Sequence, residues 1–243
     1  MGLTLRLLID DRFFQKLESR RGMQMEDYHW TELGKQFVGR FPAESLQLAD
    51  KMLEHFGERG TIMERFNSTA LRVLSEITRR SPTAVWRRAI KYLDPPSDAR
   101  AYHITSWLQG SRFFRDENTT GPLALIPSDE IWRWVDEDIG RRAWYVAYFV
   151  PKELFRKESR LCLAREILIR YGARKDVRNN LSANFGTEGW SGPESLHYHG
   201  RKQWLLDFRK GETNANVKLW IDEYVAALDR QVERAKIQEE REQ

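Results

Sequence analysis

The chain has 243 residues, 41% hydrophobic and 12% aromatic, with 40 basic and 36 acidic side chains that leave a formal charge of +4. A chain this long buries a core without disulfide or metal staples, and its aromatic content excludes a disordered polymer. A single cysteine excludes an intramolecular disulfide framework, and the lack of any apolar run near ~20 residues excludes a membrane-spanning helix.

The first ten residues, Met1 to Asp10, are interrupted by Arg6 too early for a signal peptide, so a cytoplasmic location is expected. They read as mid-element sequence, the mark of a domain cut from a longer protein. Residues 1–54 read as an N-terminal helical region, a capping repeat for the helices C-terminal to it. From there to residue 230 a unit of about forty residues recurs. Its five copies begin at Arg59, Arg100, Arg142, Arg178 and Lys218, with spacings of 41, 42, 36 and 40. The fourth position holds Ile62, His103, Tyr145, Leu181 and Ile221. The eighth holds Phe66, Trp107, Phe149, Phe185 and Val225. An i, i+4 pair lies on one helix face, so each copy predicts a helix with one buried stripe. Asp136 to Asp138, Asp176 and Asn214 to Asn216 stand just before three of these segments as candidate caps.

Between the copies lies a second helical pattern. Ser128 is a candidate N-cap for the helix through Trp132 and Val135, and the spacing of Leu161, Leu163, Ala164, Ile167 and Leu168 predicts another helix. Cys162 falls on that apolar face and reads as a core residue, since a nucleophilic thiol needs an exposed, electropositive setting. The segment from Val217 predicts a terminal helix with Trp220, Ile221, Tyr224, Val225, Leu228 and Val232 on one stripe. Its charged end, 231–243, lacks an apolar side beyond Ile237 and is expected to leave the body. Strand signals are nearly absent.

Two helices per repeat of this length resemble the HEAT-like family of helical repeats. The resemblance implies an all-α fold, a HEAT-like α-α superhelix (solenoid) of about four to five helical hairpins. The alternative is an irregular helical bundle. The repeats with the Gly-Trp-Ser-Gly-Pro loop also resemble C-terminal helical-repeat portions of bacterial multidomain conflict and defence proteins that contain an NTPase. That resemblance implies sensing or scaffolding within a larger assembly.

Three places stand out as sites. The loop Phe185–Gly200 carries four glycines beyond Phe185 with Trp190, His197, Tyr198 and His199, and reads as a partner contact or as packing between repeats. Its lone His-x-His lacks the further ligands that zinc requires. The loop Gly110–Pro122 sets Phe113 and Phe114 between Arg112 and Arg115 as a second recognition loop. From Arg65 to Lys91 there are seven basic residues and one acid, a local +6 that leaves the rest of the chain net acidic. Arg65, Arg72 and Arg79 recur every seven residues on one helix face, followed by Arg80, Arg87 and Arg88 beside Trp86. Basic stripes with a nearby aromatic are a footprint of phosphate-backbone binding. The competing reading has these arginines bridging acidic groups on a neighbouring helix.

No nucleotide loop, dinucleotide fingerprint or zincin motif occurs. Gly189-Trp190-Ser191-Gly192 places its second glycine one position early for a nucleophile elbow. The expectation is therefore a non-catalytic binding module with no cofactor and no metal, whose partner is a protein or further domains of a longer chain, with nucleic acid as the alternative. A helical-repeat DNA-repair enzyme is a second alternative, through Trp132, Trp134 and Trp144 beside Asp136 and Asp138. Residues two apart point to different helix faces, which weighs against it.

Overall fold

The computed structural model describes residues 2–10, 25–55, 63–94, 99–110, 121–151, 163–186 and 191–241. Among them are twelve α-helices, two short 3-10 turns and no strand. The chain divides into two compact units, Met1–Trp134 and Val135–Gln243, with the boundary inside one helix.

The first unit holds α1 (Gly2–Leu8), α2 (Met25–Arg40), α3 (Ser45–His55), α4 (Met63–Arg80), α5 (Pro82–Ala89), α6 (Ala99–Gln109) and the start of α7 (Ser128–Glu137). Here α2 packs along α4, and both α4 and α5 pack on α3. Gly34 lies against Val73 and Gly39 against the Arg80 side chain, so α2 and α4 run parallel, about one repeat apart in sequence. Trp86 and Trp107 are buried and hydrogen-bonded. The Trp107 indole donates to Ser75 Oγ (3.2 Å), and the Trp86 indole donates to the Glu130 carbonyl (3.2 Å). Trp86 also meets Trp134 edge to face, with ring centroids 5.6 Å apart.

The second unit holds the end of α7, then α8 (Ile139–Phe149), α9 (Leu163–Tyr171), α10 (Lys175–Gly186), α11 (Glu194–Lys210) and α12 (Ala215–Arg241). Two of the expected caps form. Asp138 Oδ1 accepts from the Arg141 amide, and Asn214 Oδ1 accepts from the Asn216 and Val217 amides. Asn180 donates to the Trp144 carbonyl, and Asn184 to the Ala147 and Val150 carbonyls, tying α10 along α8. Trp220 donates to Ser182 Oγ and Phe185 meets the Trp220 ring, tying α12 to α10. A second, antiparallel contact joins α11 to α12, with Arg209 on Asp222 and Lys202 on Asp229.

Most of the described fourth and eighth positions of the recurring segment face the core, Val225 being half-buried. Tyr145, Phe149, Leu181, Phe185, Trp107 and Ile221 are buried, while His103 is only half covered. The first copy, Arg59–Phe66, lies outside the residues whose side chains are described, as does Cys162. Among the other tryptophans, Trp30, Trp132, Trp134 and Trp220 are buried, so most of the nine serve packing between helices.

His103 sits where the other copies place a tyrosine or an aliphatic residue. Its burial lowers its pKa below the ordinary 6.5, so the fold prefers the neutral ring. As pH falls below about 6.5 the unfolded chain takes up the proton first, and stability drops. In thermal melts between about pH 7 and about pH 5, His103→Leu is expected to flatten the part of the decline that this ring causes.

Candidate interaction surface

The arginine that opens the second, third and fourth copies has a structural use. The Arg100 guanidinium lies 5.0 Å above the Tyr92 ring, and Arg142 pairs with Glu137 at 2.7 Å. Arg178 is buried at 7% exposure. It donates to the carbonyls of Gly172 (2.7 Å) and Ala173 (3.0 Å) and forks onto Glu223 of α12 (2.7 and 3.0 Å). Each reaches back to the turn or helix end before its own helix, where unpaired carbonyls and acids wait.

Four arginines of the 65–91 stripe also meet acids. Arg79 and Arg80 both pair with Glu76 (3.2 and 3.1 Å). Arg87 of α5 forks onto Glu130 of α7 (3.3 and 2.9 Å), which also holds Arg133. Those two arginine hydrogen bonds hold the Glu130 carboxyl below its ordinary range. Arg88 reaches Asp50 of α3 (2.9 Å). Arg72 is exposed on α4, and the side chain of Arg65 lies outside the described residues. The single acid counted along 65–91 thus becomes three around the folded patch, because Asp50 and Glu130 arrive from helices distant in sequence.

His197 and Tyr198 lie in the first turns of α11 rather than in a loop. The helix begins at Glu194, directly behind Pro193, which takes the N-cap position. Tyr198 donates to Glu194 Oε1 (2.8 Å), a bond between successive turns of one helix. Arg201, one turn further, donates to the Phe185 carbonyl at the end of α10 (2.6 Å) and to the Tyr224 hydroxyl (3.1 Å). Tyr224 stacks on Trp220 with centroids 5.3 Å apart, and Phe185 faces both rings. Phe185, Trp220 and Tyr224 therefore form one aromatic cluster with the half-exposed Arg201 guanidinium at its edge, and half-exposed Tyr198 stands one turn before Arg201 on α11. Sequence reasoning missed Arg201. No local signal marked it, because its acceptor, the Phe185 carbonyl, belongs to the preceding helix 16 residues earlier. Trp190, Phe113 and Phe114 lie outside the described residues.

The ends of the second recognition loop do meet. Gly110 has φ +78°, and a Cβ on Gly121 would stand 2.4 Å from the Gln109 carbonyl oxygen and 2.6 Å from the Gly110 nitrogen. Only residues without a side chain permit that approach.

Trp132 and Trp134 are both buried, and Asp136 accepts the Tyr171 hydroxyl proton at 2.6 Å. The residues offered for a repair-type groove are thus occupied in packing and in a structural hydrogen bond. Among the described residues no group of three metal-ligating side chains converges, and no helix is long and apolar enough to cross a membrane. Comparison with protein-family models, with curated proteins and with solved structures returns no match. The described residues are all-helical, with no strand among them.

Proposed function

We propose that the chain is a non-catalytic HEAT-like helical-repeat module that holds a protein partner within a larger assembly. One observation carries the repeat reading: side-chain hydrogen bonds between helices recur at separations near one repeat length. They join residues 32 apart (Trp107 to Ser75), 36 and 37 apart (Asn180 and Asn184 to α8), 38 apart (Trp220 to Ser182) and 43 apart (Arg87 to Glu130). Ties that recur near one repeat length are the behaviour of stacked repeats, which use their side chains for stacking and their surface for partners. The arginine pairs of the 65–91 patch favour this reading over nucleic acid, because a guanidinium already forked onto a carboxylate is a weaker phosphate ligand. Placement in a bacterial conflict or defence protein rests on resemblance alone.

The test removes the candidate contacts without removing the fold. Deleting residues 111–120 and joining Gly110 to Gly121 is expected to shift the melting temperature by no more than about 2 °C, because the ends already touch. In cross-linking pull-downs from the native host, a protein captured by the parent chain is expected to be lost with this deletion or with the double change His197→Ala, Tyr198→Ala. Capture unaffected by both, or none above a control, overturns the reading. A gel shift that weakens steeply with salt, and is abolished by reversing Arg72, Arg79 and Arg87 to Glu, favours nucleic acid instead.

A further inference from the structure

The first turn of α11 has no cap of its own. Pro193 stands at the N-cap and makes no side-chain hydrogen bond, although the first amides of a helix find no partner within it. The acceptor comes from the far end of α12. Glu239 accepts from the Ser195 amide (3.0 Å) and hydroxyl (2.6 Å). Together with a bond from the Glu194 backbone, these hold its carboxyl below the ordinary carboxylate range. A carboxylate at this place also meets the positive end of the helix dipole.

The capped contact lies outside the apolar seam of the two helices. That seam buries Leu205 on α11 and Leu228, Val232 and Ala235 on α12. No residue from 196 to 200 is buried, and none from 236 to 241. The next turn of α11 has its own anchor in Arg201, on the Phe185 carbonyl and the Tyr224 hydroxyl. Two glycines bracket the capped turn. Gly192 has φ +93°. Gly200 is exposed inside the helix, with open space where a Cβ would stand. Packing therefore does not require a glycine at 200, and an interior glycine makes a helix easier to unwind than alanine does.

We propose that residues 193–199 form a latched segment, helical while Glu239 caps it and free to unwind between Gly192 and Gly200 when the last turn of α12 lets go. The seam from Arg201 and Ala235 inward stays closed throughout. The segment carries His197 and Tyr198, so a partner that draws off the end of α12 also changes how these two side chains are presented. That consequence rests on the two residues being partner contacts, whereas the latch itself does not.

Hydrogen exchange read residue by residue by NMR on the full chain tests the latch without any partner. In Glu239→Ala, amides of 197–200 are expected to exchange about fivefold faster than in the parent, the usual effect of a lost cap, while those of 203–209 and 220–232 hold steady. Glu240→Ala removes the same charge from the neighbouring exposed position and is expected to leave 197–200 unchanged. Gly200→Ala is expected to slow these amides about threefold and to offset part of the effect of Glu239→Ala. Exchange at 197–200 indifferent to Glu239→Ala, or accelerated equally along all of α11 and α12, overturns the latch. So does a Gly200→Ala variant that shows no slowing, since the segment then does not unwind at that glycine.

Discussion

Replacing Gly172 by alanine is expected to lower stability by about 3 kcal/mol, the upper end of what overpacking costs. The residue ends α9, and its amide donates to the Leu168 carbonyl at 2.9 Å. A Cβ there would stand 2.3 Å from that same carbonyl oxygen, 3.0 Å from its carbon and 2.9 Å from Asn216 Cβ. Two of the three obstacles are backbone, so no side-chain rotation relieves the clash. The carbonyl of Gly172 is moreover one of the acceptors of Arg178, so any shift of the turn loosens the fork onto Glu223. Urea denaturation of Gly172→Ala beside the parent chain checks this. A midpoint within error of the parent shows that the turn relaxes freely.

The second large effect is expected at Glu212. Its side chain is only 2% exposed and accepts four hydrogen bonds. Arg165 of α9 forks onto both oxygens (2.7 and 3.0 Å), and the Thr213 and Asn214 amides reach Oε1 (2.8 Å each). Burial pushes its pKa up, but the bonds from Arg165 and the two amides outweigh that and hold the carboxyl below its ordinary range. Glu212→Ala strips the turn before α12 of its acceptor and leaves Arg165 without its carboxylate, for a cost of about 3 kcal/mol. Glu212→Gln keeps some of the bonds and falls between. A group with a depressed folded pKa stabilises above its unfolded pKa, here the ordinary 4.5, and that contribution fades as pH falls through the lower folded value. The gap in denaturation midpoint between parent and Glu212→Gln should therefore be full at about pH 7 and shrink toward about pH 3. Adding Arg165→Met to Glu212→Leu should recover part of the loss, since an apolar pair leaves no charge unmatched.

Local features of this protein were legible in the sequence because they depend on residues within a few positions. The i, i+4 pairs Tyr145 with Phe149 and Leu181 with Phe185 are buried as their spacing predicts, and Asp138 and Asn214 cap the helices they precede. What escaped depends on distant partners. Asp50 and Glu130 come to the arginine patch from other helices, so a count of acids along residues 65–91 could not foresee them. Glu239 lies in a stretch without an apolar side, expected to leave the body and fray or to continue into a further segment. The helix runs to Arg241, and Glu239 is tied to Ser195, 44 residues earlier. His197 and Tyr198 looked like loop residues for a related reason. The glycines around Trp190 extend the loop signal past Pro193, whereas the chain turns helical directly behind the proline.

The spacing of the ties between helices also bears on how the chain reaches this state. In a chain of 243 residues, the side-chain bonds between helices reach back 32 to 47 residues in most cases and fewer between α11 and α12. The loops to be closed are therefore short compared with the chain, and the entropy of closing them is modest. A molecule wired this way brings helices together over short loops for its size, and short loops favour fast folding.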